Sequence, residues 1–174
     1  LLPLAAGVDI SDSSIKWMTL REDSSGYHVA AYGNKPLAEG VVEGGIVRNA
    51  EALSRELASI RQELGGATAA HAALPEEAAY VFSMRVPAGS DREQILRMIE
   101  FEFEGRVPIP PSAAVYDFNP IESGDAEGDE ISVTVFPREV AESYTESFEL
   151  AGIELLSLEV EARFQKAWAH ADIK

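Results

Sequence analysis

The stretch GVDISDSSIKWMTL, residues 7–20, decides the fold of this chain. An apolar strand brings Asp9 to a short polar turn, and a second apolar strand follows, with Lys16 near its start. Hydroxyls, backbone N–H groups and a nearby lysine can together hold a phosphate group. The stretch therefore predicts a phosphate-binding turn between two strands. An ordinary hairpin with a Ser/Asp turn explains the same pattern, and this segment alone leaves both interpretations open.

Composition and charge exclude several classes of function. The chain has 174 residues and is 46% hydrophobic, which is enough to bury a core in one domain or two small ones. Its formal net charge of -16 disfavours binding to nucleic acid and direct docking on an anionic bilayer. No apolar run reaches the roughly 20 residues that a membrane span requires, so we expect no direct membrane insertion. With no cysteine, disulfides and thiolate metal sites are excluded, which fits a cytoplasmic protein.

Apolar periodicity predicts a mixture of strands and helices. A helix is expected to begin at an Asn49 cap and to stop at Gly65, and a second to begin at Ser90 or Asp91, where Ser90 and Glu93 have capping-box spacing. Two further helices are predicted at residues 138–150 and 161–171. Strands are predicted at residues 7–11, 15–21, 27–32, 68–74, 80–87, 114–118, 131–136 and 153–160.

The order of these elements predicts an α/β or α+β protein with a mixed sheet. A β-α-β-β block interrupts the series and is expected to form an inserted subdomain. The predicted boundaries place residues 1–78 and 137–174 in an outer subdomain and residues 79–136 in the insertion. Because the sequence begins with Leu1, we also expect that it is a piece of a longer protein.

Five segments in this order resemble the PilM family of type IV pilus assembly, which is actin-like and related to the division protein FtsA. They cover nearly the whole chain. The resemblance implies a ribonuclease H-like, actin-like lobe with the inserted β-α-β-β subdomain. The cytoplasmic domain of the secretion protein GspL is a second, similar possibility. The segments are residues 7–16, 36–47, 72–87, 102–110 and 140–162.

The resemblance implies a nucleotide site at the first turn. Asp9 would lie near a Mg²⁺ ion through water, backbone N–H groups around Ser11, Ser13 and Ser14 would face the phosphates of ATP, and Lys16 would neutralise phosphate charge. Two departures weaken this implication. Ser11 stands where the family often has glycine, and the following residue, Asp12, would repel an anion if its carboxylate faced it.

A second phosphate loop, which the family's other lobe supplies, is missing after residue 150. The chain alone is therefore expected to hold no tightly bound cofactor and not to hydrolyse ATP. The full-length parent would bind ATP and Mg²⁺.

The resemblance further implies a groove for the N-terminal peptide of a PilN-like membrane protein. Its expected residues are Tyr80, Phe82, Met98, Phe101 and Val107. Phe101 departs from the apolar stripe of its helix, so it is either exposed for a partner or covers a neighbouring strand.

The function implied is a cytoplasmic scaffold at the inner face of the membrane, linking this partner to the pilus assembly motor. A nucleotide-free module like that of GspL and an autonomous ATPase acting through Asp9 and Lys16 remain alternatives.

The histidines do not predict a metal site. His28, His71 and His170 are scattered, without the spacing of metal ligands. His71 lies in an apolar strand, where we expect a buried core group with a hydrogen-bond partner.

Overall fold

The structure is a computed structural model that describes residues 4–121 and 128–160. The strands and helices of this part follow in chain order. They are β1 (Ala5–Ile10), β2 (Ser14–Asp23), β3 (Gly26–Pro36), β4 (Val42–Glu43), β5 (Ile46–Val47), α1 (Ala50–Ile60), β6 (Ala69–Leu74), β7 (Tyr80–Val86), α2 (Arg92–Arg106), β8 (Ala114–Ile121), β9 (Asp129–Pro137), α3 (Arg138–Leu150) and β10 (Glu154–Val160).

The chain divides into two compact units. Unit 1 contains Leu1–Ala78 and Glu142–Lys174, and unit 2 contains Ala79–Ala141. The second division falls inside α3, whereas the sequence placed this boundary between residues 136 and 137. The assignment of these units to an actin-like lobe and an insertion stays a prediction.

Unit 1 is built on a five-stranded mixed sheet in the order β10-β6-β1-β2-β3. β1 lies at its centre, antiparallel to β2 and parallel to β6, and β6 is parallel to β10. A parallel neighbour requires a crossover connection, and α1 and α3 lie in the two crossovers of this sheet. Val8 and Ile10 of β1 and Ile15 of β2 are fully buried, so the first hairpin supplies the middle of the core.

Helix α1 begins as its sequence predicts. The Asn49 side chain accepts a hydrogen bond from the N–H of Ala52 at 2.9 Å, which satisfies one of the free donors of the first turn. Leu53 and Leu57 are fully buried. The α-helix ends at Ile60, and a 3-10 turn continues the chain, so the predicted helix is slightly too long.

Unit 2 is a three-stranded antiparallel sheet, β7-β9-β8, against which α2 packs. The capping box of α2 joins Asp91 and Gln94, so the predicted pairing of Ser90 with Glu93 is wrong and Asp91 is the N-cap. The Tyr116 hydroxyl of β8 donates to Glu100 of α2 at 2.5 Å, and burial and this bond raise the pKa of Tyr116 to about 12. The buried core is Val86, Ile95, Ile99, Phe103, Val107, Ala114, Ile131, Val133 and Val135.

Two further predictions need correction. The connection before α1 is less irregular than expected. β3 extends to Pro36, and β4 and β5, with two residues each, form a short hairpin. His71 is exposed instead of buried, and its Nδ1 lies 2.8 Å from Ser157 Oγ. Alternation along β6 places His71 on the sheet face opposite to Ala70 and Ala72. The helix predicted at residues 161–171 lies outside the described residues.

Substitution of Gly33 tests how Trp17 of the first hairpin packs. A Cβ atom at Gly33 in β3 would lie 2.1 Å from the Trp17 ring. We expect Gly33→Ala to lower the free energy of unfolding by about 1–3 kcal/mol, because the indole would have to move in a packed core. Urea denaturation followed by circular dichroism measures this change.

Gly105 provides the matched control. It lies in α2, and a Cβ there would meet nothing within 4 Å. Gly105→Ala should raise stability by about 0.5–1 kcal/mol, because alanine restricts the unfolded chain and favours the helix. Equal effects of the two variants would contradict the described packing.

Candidate functional sites

The first site is the turn between β1 and β2. Antiparallel pairing sets Asp9 opposite Lys16, and the Lys16 ammonium lies 3.2 Å from Asp9 Oδ2. The two side chains are 55% and 25% exposed, respectively, so this ion pair contributes little to stability. The ion pair nevertheless places a cation and a carboxylate side by side at the end of a buried strand.

Two serine hydroxyls close the turn itself. The Ser14 N–H donates to Ser11 Oγ at 3.2 Å, and the Ser11 N–H donates to the Ser14 carbonyl at 3.0 Å. The Ser13 carbonyl accepts from the N–H of Leu37 at 2.8 Å. In residues 4–121 and 128–160, the N–H groups of Asp12 and Ser13 donate to no protein acceptor. The turn therefore offers two backbone donors, while the hydroxyls of Ser11 and Ser14 serve its shape.

The Asp12 carboxylate is committed elsewhere. Its two oxygens accept from the N–H groups of Gly44 at 2.8 Å and Gly45 at 3.2 Å. These glycines form the tight turn of the β4–β5 hairpin, with φ values of 57° and 72°, a conformation that favours glycine. The carboxylate that would repel a phosphate if it faced one thus accepts hydrogen bonds from a neighbouring turn.

A tyrosine on α3 completes this contact. The Tyr144 hydroxyl donates to the Gly45 carbonyl at 3.0 Å, and its side chain is fully buried. Burial, followed by the charge of Asp12, raises the pKa of Tyr144, so the hydroxyl stays protonated and keeps donating. Sequence reasoning missed this network, although a Gly-Gly pair between apolar residues is a hairpin signal and a buried tyrosine needs a hydrogen-bond partner.

The described residues contain no group of three or more histidine or acidic side chains that could hold a metal ion. Asp9 alone is a single carboxylate, which fits a Mg²⁺ ion held mainly by nucleotide and water. No helix among the described residues is long and apolar enough to cross a bilayer.

The second site is a concavity of about 750 Å³ in unit 2. It lies between the end of β7, the following loop and one flank of α2. Phe101 is 85% exposed at this place, so of the two alternatives for this residue, exposure is correct and coverage of a neighbouring strand is wrong. The lining is Met84, Arg85, Pro87, Ala88, Gly89, Ser90, Gln94, Arg97, Met98, Phe101 and Glu102.

The predicted groove residues lie at three places in unit 2. Met98 and Phe101 line the concavity. Tyr80 and Phe82 are partly buried against the core of the unit, and the Arg106 guanidinium lies 5.6 Å from the centre of the Phe82 ring. Val107 is buried in that core. The concavity therefore gathers only part of the set.

The mixed five-stranded sheet of unit 1 and the smaller α2-containing unit define a mixed α/β protein. The chain belongs to the type IV pilus assembly protein PilM family, whose model matches residues 7–171. The predicted fold class is confirmed, since two solved structures share this fold.

One of these structures is a PilM-PilN type IV pilus biogenesis complex, with 23% identity and a TM-score of 0.79 over 91% of this chain and 47% of that chain. The other is the cytoplasmic domain of EpsL, an inner-membrane component of the type II secretion system of Vibrio cholerae. It has 15% identity and a TM-score of 0.56 over 88% of this chain and 56% of that chain. The chain thus spans about half the length of the solved structures that it matches.

The Tyr144 contact predicts a pH-dependent stability. Tyr144→Phe leaves the Gly45 carbonyl without its donor and should cost about 1–3 kcal/mol at neutral pH. The folded state raises the pKa of Tyr144. The contribution of the Tyr144 hydroxyl to stability is therefore complete below its pKa of about 10 in the unfolded chain, and it is lost as pH rises further. Urea denaturation at pH 8 and pH 10.5 should therefore show a smaller difference between wild type and variant at the higher pH.

Tyr32→Phe is the control, because Tyr32 is 78% exposed. It should leave the free energy of unfolding within about 0.5 kcal/mol of wild type. A Tyr144→Phe variant as stable as wild type would contradict the network.

Proposed function

We propose that this chain acts in type IV pilus assembly as a scaffold that binds the N-terminal peptide of a PilN-like membrane protein. Family membership and similarity to a PilM-PilN complex support the proposal. The observation that carries it is the exposed Phe101 beside a concavity of about 750 Å³. Clefts of this size, with apolar and a few polar groups, are typical binding sites.

The scaffold would lie in the cytoplasm, at the inner face of the membrane where its partner is anchored. It would link that partner to the assembly motor. The acidic chain, with its net charge of -16, would be repelled by anionic lipid. Recruitment through a protein partner fits this charge better than direct binding to the bilayer.

A second proposal concerns nucleotide in the full-length protein. Lys16 beside Asp9 and the two backbone donors of the turn fit a phosphate group and its Mg²⁺ ion. Bound Mg-ATP would supply a dense negative charge, which Lys16 and the turn N–H groups would bind while Asp9 faced the metal through water. This contact would favour one conformation of the scaffold. The similarity to the EpsL domain keeps a nucleotide-free module as the competing proposal.

Replacement of the Phe101 side chain by that of alanine tests peptide binding. Aromatic anchors at the centre of an interface commonly contribute 2 kcal/mol or more, so Phe101→Ala should weaken the partner peptide about 30-fold. Calorimetry with the N-terminal peptide of the PilN-like protein from the same organism measures this loss. Because the side chain is exposed, the variant should fold normally.

Leu150→Ala is the matched control, since Leu150 is 62% exposed on α3 in unit 1. It should bind the peptide like wild type. A wild-type chain that does not bind the peptide would contradict the proposed function. Binding by Phe101→Ala as tight as that of wild type would show that the concavity is not the binding site.

Removal of the positive charge of Lys16 tests the nucleotide proposal in the full-length protein. Lys16→Ala should weaken Mg-ATP about 10- to 100-fold, because a hydrogen bond to a charged group contributes roughly 1.5–3 kcal/mol. Lys35→Ala serves as control, since Lys35 lies on the adjacent strand and pairs with Glu56 at 2.7 Å. Absence of any heat with Mg-ATP would contradict this proposal and favour the nucleotide-free module.

A further inference from the structure

Asp12 is an exposed residue in the middle of the candidate phosphate turn. Its backbone N–H and that of Ser13 are the two donors that the turn offers to a ligand, since within residues 4–121 and 128–160 they donate to no protein acceptor. Its carboxylate adds a negative charge to the same turn. By charge alone, Asp12 therefore weakens the binding of a phosphate group.

The hydrogen bonds of the Asp12 carboxylate indicate a second role. Its two oxygens accept from two successive N–H groups of the β4–β5 hairpin, at 2.8 Å from Gly44 and at 3.2 Å from Gly45. Hydrogen bonds to an ionised acceptor are roughly twice as strong as bonds between neutral groups. Because both oxygens are bound, the position and the orientation of the side chain are fixed, and this limits the dihedral angles that the backbone of Asp12 can adopt.

The hairpin that binds Asp12 is itself held by other parts of unit 1. The Gly45 carbonyl accepts from the buried Tyr144 hydroxyl of α3 at 3.0 Å. The hairpin also packs so closely against Ala78 that a Cβ atom at Gly45 would lie 2.7 Å from the Ala78 Cβ. Asp12 is therefore tied to a fixed support.

The other backbone hydrogen bonds of the turn join its remaining residues. The Ser11 N–H donates to the Ser14 carbonyl at 3.0 Å, and the Leu37 N–H donates to the Ser13 carbonyl at 2.8 Å. Neither bond includes Asp12, so the carboxylate is the group that restrains this residue. Fixing the backbone of one residue costs enough free energy to change an affinity about tenfold.

We propose that Asp12 is a positioning residue of the phosphate turn. Its carboxylate, bound by Gly44 and Gly45, holds the N–H groups of Asp12 and Ser13 in the orientation that receives a phosphate group. The inference rests on the proposed nucleotide site and names a side chain that acts on this site through the backbone. Its effect is opposite in sign to that of charge, because removal of the carboxylate weakens phosphate binding although it removes a repulsion.

Replacement of Asp12 in the full-length protein tests this sign by calorimetry. Asp12→Ala should weaken Mg-ATP about tenfold, because binding must then order the backbone of the turn. Asp12→Asn should bind with an affinity between those of wild type and Asp12→Ala, since the amide keeps one acceptor oxygen without the charge.

Asp23→Ala is the matched control. The Asp23 carboxylate accepts from the Ser25 N–H at 2.7 Å in the turn between β2 and β3. The variant therefore removes the same charge and a similar hydrogen bond from another turn of the same sheet. It should change the affinity for Mg-ATP less than about twofold, because Asp23 restrains neither donor of the phosphate turn.

A double-mutant cycle tests whether Asp12 acts through the hairpin. Tyr144→Phe removes a second restraint on the hairpin without changing a charge at neutral pH, and it should weaken Mg-ATP about threefold. The double variant Asp12→Ala/Tyr144→Phe should bind as tightly as Asp12→Ala alone, because the hairpin then no longer holds the Asp12 side chain. Two residues that act through one contact are not additive in this way.

Relaxation of the backbone ¹⁵N nuclei, measured without nucleotide, provides a second readout. In wild type, the order parameters of residues 12 and 13 should lie near those of rigid backbone, about 0.85, and in Asp12→Ala they should fall below about 0.6. Those of residues 24 and 25 should stay the same in the two proteins.

The outcomes separate this inference from the nucleotide proposal. A wild-type protein that gives no heat with Mg-ATP overturns the nucleotide proposal and this inference with it. Binding by wild type together with equal or tighter binding by Asp12→Ala overturns this inference alone, because Asp12 would then contribute only its charge. Unchanged order parameters in the turn, or additive losses in the double variant, overturn it as well.

Discussion

The two hydrogen bonds that the Asp12 carboxylate accepts from the Gly44–Gly45 turn connect distant segments of unit 1. They tie the loop after β1 to the β4–β5 hairpin, and the Tyr144 hydroxyl ties the same hairpin to α3. Three segments that are distant in the sequence thus meet at two glycines. A Cβ atom at Gly45 would lie 2.7 Å from the Cβ of Ala78, so the hairpin packs too closely there to accept a side chain without a shift.

This contact also shapes the candidate phosphate turn. With Asp12 held by backbone N–H groups, its charge is partly satisfied and does not need to face the turn. Lys16 and Asp9 remain side by side across the first hairpin. The turn is therefore closed by its own serines and joined through its Asp12 carboxylate to the β4–β5 hairpin. Such prior ordering lowers the entropic cost of binding.

Sequence reasoning reached features governed by local chemistry and failed at those governed by distant contacts. Apolar periodicity and the Asn49 cap located α1, and the same patterns predicted the two strands of the first hairpin. The partners of Asp12 and Tyr144 are 32 and 99 residues away, and no local pattern specifies such distances. The prediction that His71 is buried failed for a related reason, because an apolar run does not reveal which face of a central strand remains exposed. Phe101 was recognised as lying off the stripe, but its exposure depends on the shape of the whole unit.

The proposed scaffold depends on the surface of unit 2 where the exposed Phe101 lies beside the concavity. The most direct test is nuclear magnetic resonance of the isotope-labelled chain during titration with the PilN-like N-terminal peptide. The account predicts that backbone signals of residues 80–90 and 94–102 shift together, while those of the β4–β5 hairpin do not. Shifts confined to unit 1, or no shifts at a saturating peptide concentration, would contradict it.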